Sequence, residues 1–199
     1  MDIQTHQEPI NETLPIAGTV QLYIPPFKHR YCWKTDQIDQ LFADIRYEDE
    51  NYYVGNLLVV PHEQQGKNIP DAYDVIDGQQ RLTTVSLFLL AIWQRAQEIS
   101  NDENTSRDDI MKTGTIQSDI KRRLIFNNSD DALEPRLHLL EEDDTVYRSL
   151  LRVLNRNEPG RTGRTAFAKR YGYIRKLFGA DAFPTIGELD KFYEKLLKV

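Results

Sequence analysis

Apolar residues return at the spacing of one helix face in Ile38, Leu41, Phe42 and Ile45, so a helix is predicted there, with Thr35 as its cap and Asp36 near the positive end of its dipole. Residues 19–24 have strand chemistry and end at Pro25-Pro26, which force an extended exit. Residues 52–60 read as a second strand bounded by Pro61. Gly55 inside it signals a bulge or the close approach of another backbone or a ligand. After a polar connection, residues 73–76 form a short strand. From Gln79 to about Ser100 the pattern is apolar around most of the circumference, as in a central helix.

Residues 1–15 look like a flexible lead-in, and residues 101–115, polar and without period, like a mobile loop. Between them, residues 16–100 form a core unit. Residues 116–199 read as a mainly helical extension: a strand at 136–140, a helix from Asp144 carrying Val146, Tyr147, Leu150, Leu151 and Leu154, one with Phe167, Tyr171, Ile174 and Phe178 stopped by Gly179, and one opened by the capping box Thr185 to Glu188. The expected class is α+β, a small mixed sheet with packed helices followed by a mainly helical part. The last helix runs to Val199 without a terminating Gly or Pro, so a longer protein is expected to continue from it.

Composition narrows the function. With 199 residues and 40% hydrophobic content the chain can bury one sizeable core. A net charge of -6 argues against a general coat for nucleic acid. Cys32 is the single cysteine, so no internal disulfide can form, and a reducing, cytoplasmic setting is the natural reading. The N-terminus lacks the basic start and apolar core of a signal peptide. The longest apolar run is about half of the roughly 20 residues a membrane span needs, so no membrane partner is expected.

Three stretches carry candidate chemistry. In DVIDGQQRLTT, residues 74–84, a polar cluster separates an apolar strand from an apolar helix. Strand, Asp-Gly, helix is one way to build an anion site, because the first helical N–H groups lack partners and face the ligand with the dipole's positive end. Arg81 adds a forked cation suited to phosphate, and Gln79 and Gln80 add amides. Asp77 can hold a metal-bound water, a ribose hydroxyl or the arginine. The simpler reading is a cap, with Asp77 at its start and Gln80 three residues on, and the two are compatible. In IPPFKHRYCW, residues 24–33, cations alternate with rings, which suits bases and phosphates as well as plain packing. Between Leu151 and Lys176 lie Arg152, Arg156, Arg161, Arg164, Lys169, Arg170, Arg175 and Lys176 against Glu158, a local charge of +7 that fits either a phosphate-backbone surface or a solvated helix face. There is no C-x-x-C, H-E-x-x-H or Walker loop.

Taken together, IPPFKHRYCW, YYVGNLLVV and DVIDGQQRLTT, in that order, resemble the N-terminal domain of GmrSD-type restriction proteins, whose hallmark is D-G-Q-Q-R; the likeness covers about residues 15–155. The resemblance implies a fold similar to ParB and sulfiredoxin, and a module that binds and hydrolyses a nucleoside triphosphate in a system restricting phage DNA; magnesium is expected with it because metal ions neutralise developing phosphate charge. It implies catalytic roles for Asp77, Gln80 and Arg81, nucleotide contacts from Gly78, Gln79, Gln80 and Arg81, and a place beside them for Gly55 and Asn56; Asp77 would reach the metal through water. Where the family's first block usually carries Gln-Arg, this chain has Lys28-His29 followed by Arg30, so Lys28 or Arg30 would supply the cation. A C-terminal or separate nuclease domain is the implied partner, and no His-Asn-His motif lies within these residues. The alternatives are a nucleotide-dependent switch without turnover, or a DNA-binding module using Arg156, Arg161, Arg164, Lys169 and Arg170.

Overall fold

The computed structural model describes residues 9–15, 17–49, 52–64, 67–129, 132–156 and 163–199. A short helix α1 (Ile10–Thr13) precedes strand β1 (Gln21–Tyr23) and helix α2 (Thr35–Tyr47). The antiparallel strands β2 (Leu58–Gln64) and β3 (Lys67–Asp77) follow, and β3 runs into α3 (Gln79–Ser100). Then come α4 (Arg107–Leu124), the paired strands β4 (Ile125–Ser129) and β5 (Ala132–Pro135), β6 (Leu137–His138), and the helices α5 (Glu141–Leu151), α6 (Val153–Arg156), α7 (Ala166–Leu177) and α8 (Ile186–Lys198). The main sheet has the order β2-β3-β1-β6, with β1 parallel to both of its neighbours. The class is α+β, a small mixed sheet and a mainly helical second half, and that half returns β6 to the sheet.

Strand alternation sorts the sheet's two faces. Leu22, Val75 and Leu137 are buried toward the helices. On the opposite face the Tyr23 ring is stacked between His62 and His138, at 4.3 and 4.2 Å. In α3 every residue from Leu82 to Trp93 is buried, and α3 packs against α4, α7 and α8. Phe42, Phe88, Phe178, Phe183 and Phe192 bring α2, α3, the end of α7 and α8 into one ring cluster. A single apolar core therefore spans the chain from Ile10 to Leu196.

Several expectations need correction. Within the lead-in expected over residues 1–15, Ile10 and Leu14 are buried, the Ile10 N–H donates to Val199 O, and the Arg123 guanidinium donates to Leu14 O at 2.6 Å; residues 1–8 lie outside the described residues. The loop expected over 101–115 is α4 from Arg107 onward. The Ser106 hydroxyl caps it by accepting from the Asp109 N–H, and Thr113, Ile116, Ile120 and Leu124 form its buried stripe. Ile110 and Met111 are exposed, so the early turns show no period. Strand β2 starts at Leu58 and continues through Pro61, which an edge strand tolerates because one side of its backbone needs no ladder. Lys34, not Thr35, stands at the N-cap of α2, where Gln37 accepts from the Lys34 N–H at 2.7 Å. Among the described residues no helix is long and apolar enough to cross a membrane.

Candidate functional site

Strand β3 delivers Asp77 to an exposed position, and Gly78 makes the turn into α3 with a left-handed φ of +84°. A side chain at Gly78 would put its Cβ 2.6 Å from Asn56 O, so this turn needs glycine for both reach and conformation. Among the described residues no side chain caps α3, and Asp77 belongs to the strand. The cap built from Asp77 and Gln80 is therefore not formed, and the first N–H groups of the helix are left for other partners.

The two glutamines, expected to contact a nucleotide, also hold the backbone of residues 29–32. Gln79 Nε2 donates to His29 O at 3.2 Å; Gln80 Nε2 donates to Arg30 O at 3.1 Å, while Gln80 Oε1 accepts from the Cys32 N–H at 2.8 Å. Residues 29–34 have no strand or helix of their own, so these amides supply partners the backbone would otherwise lack. The Tyr31 hydroxyl shares a hydrogen bond with the Thr84 hydroxyl one turn further along α3 at 2.8 Å, and burial pushes its pKa up to about 12.

Arg81 turns the other way, toward residues 53–57. Its Nη1 donates to Asn56 O at 3.2 Å, and its guanidinium lies where a Cβ on Gly55 would sit, 2.6 Å from Cζ and Nη2. The close approach expected at Gly55 is thus made by an arginine side chain, at a residue whose φ is +111°. Tyr53 donates its hydroxyl to the Asn56 side-chain carbonyl.

These residues enclose a cleft of about 490 Å³, within the usual range for a small-molecule or cofactor site. Lys28, Gly55, Asn56, Asp77, Gly78, Gln79, Gln80 and Arg81 all line it, so three stretches far apart in sequence meet at one place. Trp33, Tyr53 and Ile76 line it as well. Trp33 belongs to the stretch where rings alternate with cations, a pattern that does not tell a cleft wall from core packing, and Tyr53 to YYVGNLLVV, where no cation flags it. Among the described residues no group of three or more His, Cys, Asp or Glu side chains is placed to hold a metal. Among the described residues Asp77 is the one carboxylate on the cleft. That suits magnesium, which takes one or two carboxylates with phosphate oxygens and waters, better than an ion needing a protein cage.

Arg30 does not reach this cleft; it pairs with Glu142 at 3.0 Å on the surface. The basic stretch is divided. Arg152, Arg164, Lys169 and Lys176 are exposed, but Arg170 turns inward to the Trp33 carbonyl, and Arg175 pairs with Glu98 and donates to Ala91 O. Arg161 and the side chain of Arg156 lie outside the described residues.

A family model described as GmrSD restriction endonuclease, N-terminal domain, matches residues 12–197, nearly the whole chain. No curated protein matches it.

Proposed function

We propose that this chain, which belongs to the family of GmrSD restriction endonuclease N-terminal domains, is the nucleotide-handling module of a restriction-defence protein, binding and hydrolysing a nucleoside triphosphate in the cleft at the β3–α3 turn. The observation that carries this is the convergence of Lys28, Asp77, Gly78 and Arg81 on one cleft at the uncapped start of a buried 22-residue helix. Free N–H groups, the dipole's positive end and two cations suit phosphate oxygens. The Trp33 and Tyr53 rings offer faces to a base.

Each residue then has a role set by where it lies. The Gly78–Gln80 backbone cradles phosphate, and Arg81, held by Asn56 O and the bare face of Gly55, offers its remaining donors to developing charge. Lys28 is the cleft's second cation and Asp77 its acid, orienting water or meeting magnesium with the phosphates. Gln80 positions the wall that carries Trp33. The family implies a nuclease partner domain, which turnover would control.

A second reading is a switch that binds nucleotide without turnover, favoured by the engagement of both Gln80 amide groups on backbone. Phosphate release with magnesium and each of the four triphosphates separates the two. Hydrolysis predicts release that is lost in Asp77→Ala and Arg81→Ala. Nucleotide binding without any release would leave the switch.

A further inference from the structure

The backbone of residues 29–33 is held by side chains at every residue, and the anchors come from two directions. The motif glutamines take His29 O, Arg30 O and the Cys32 N–H. The other two come from the helical half. Asp143 in the first turn of α5 accepts from the Tyr31 N–H at 2.9 Å across 112 residues of sequence. Arg170 in α7 donates its Nε to Trp33 O, and its guanidinium lies 5.9 Å from the Tyr31 ring centroid.

Asp143 is only 7% exposed, an unusual place for a carboxylate unless it holds something. It and Gln79 line the same cavity of about 10 Å³, the room one water takes, and Gln79 Oε1 is buried without a partner among the described residues. Burial pushes the Asp143 carboxyl above the ordinary carboxylate range, and the Tyr31 N–H pulls it part of the way back.

We infer that Asp143 and Arg170 are positioning residues of the cleft, which act through the backbone of residues 31–33 to hold the Trp33 ring in its wall. The inference rests on the reading of that cleft as a nucleotide site. Neither residue lines the cleft. Without Asp143 the Tyr31 N–H has no acceptor, and without Arg170 the Trp33 carbonyl loses its donor. The glutamines then grip the stretch from one side only.

The test uses the full chain with Asp143→Ala, Asp143→Asn and Arg170→Ala, each checked for folding by circular dichroism. Acrylamide quenching of Trp33 emission is read without nucleotide, with Trp33→Phe supplying the signal of the buried Trp93. Magnesium–nucleotide affinity is read on the same samples. Both Ala variants should raise Trp33 quenching and weaken binding by about tenfold, the scale of one lost hydrogen bond, and Asp143→Asn, whose amide oxygen can still accept, should restore both. Unchanged quenching in the folded Ala variants, or an Asn variant no better than Ala, would overturn the inference. A wild type that binds no nucleotide would overturn the functional reading instead, and quenching would still decide the positioning.

Discussion

The contact between Gly55 and Arg81 yields the sharpest energetic prediction. Gly55→Ala places a methyl group 2.6–2.7 Å from Cζ and both terminal nitrogens of the guanidinium, so the arginine must leave. Two costs follow. Holding Ala at a φ of +111° costs about 1–3 kcal/mol. Expelling Arg81 forfeits its bond to Asn56 O, worth about 1 kcal/mol at a partly exposed site. Gly55→Ala alone should therefore destabilise by about 2–4 kcal/mol. Arg81→Ala alone removes the same hydrogen bond, and in its background Gly55→Ala retains only the backbone strain. Equilibrium urea denaturation of the four proteins should show a double variant no less stable than Gly55→Ala, a coupling of about 1 kcal/mol. Costs that add to within about 0.5 kcal/mol, the behaviour of independent sites, would refute the placement of the guanidinium on Gly55.

Gly78→Ala should cost more, since the atom its Cβ meets is the Asn56 carbonyl and not the movable end of a side chain. Left-handed strain of about 1–2 kcal/mol and overpacking of about 1–3 predict a fall in Tm of roughly 4–20 °C by calorimetry. Gln80→Ala, which releases Arg30 O and the Cys32 N–H, should lose about 1–3 kcal/mol and raise the amide exchange of Cys32. Burial, and then the Arg148 guanidinium, hold the His138 imidazole below its ordinary value of 6.5. A depressed pKa stabilises the fold above that ordinary value, and the benefit is lost as pH falls through the folded value. Stability should therefore fall below about pH 6.5, by up to roughly 1.4 kcal/mol per pH unit, and His138→Gln should flatten that limb in urea titrations at stepped pH.

Periodicity made α3, α7 and α8 legible, because each buries a stripe whose spacing survives in the sequence, and Thr165 and Thr185 accept from the third N–H beyond them as caps should. The start of α4 was not legible, since its early turns expose Ile110 and Met111. The cleft was half legible. Asp-Gly between a strand and a helix marks a turn, and Arg81 beside it lines the cleft with Asp77 and Gly78. That Gln79 and Gln80 would spend their amides on residues 29–32 could not be read, because it depends on where a stretch some 50 positions away is folded. Asp143 and Arg170 were hidden for the same reason. One sat among the acids that favour the start of α5 and the other in a run of cations, and only the tertiary structure separates them from their exposed neighbours.

In the proposed function the cleft at the β3–α3 turn holds a triphosphate. Isothermal titration of magnesium with each nucleoside triphosphate into wild type and Arg81→Ala tests it most directly. The account predicts binding by wild type, weakened about 10- to 100-fold without Arg81, the worth of a charge-assisted contact, while circular dichroism shows both proteins folded. No binding by folded wild type, or equal affinity in the two proteins, would contradict it.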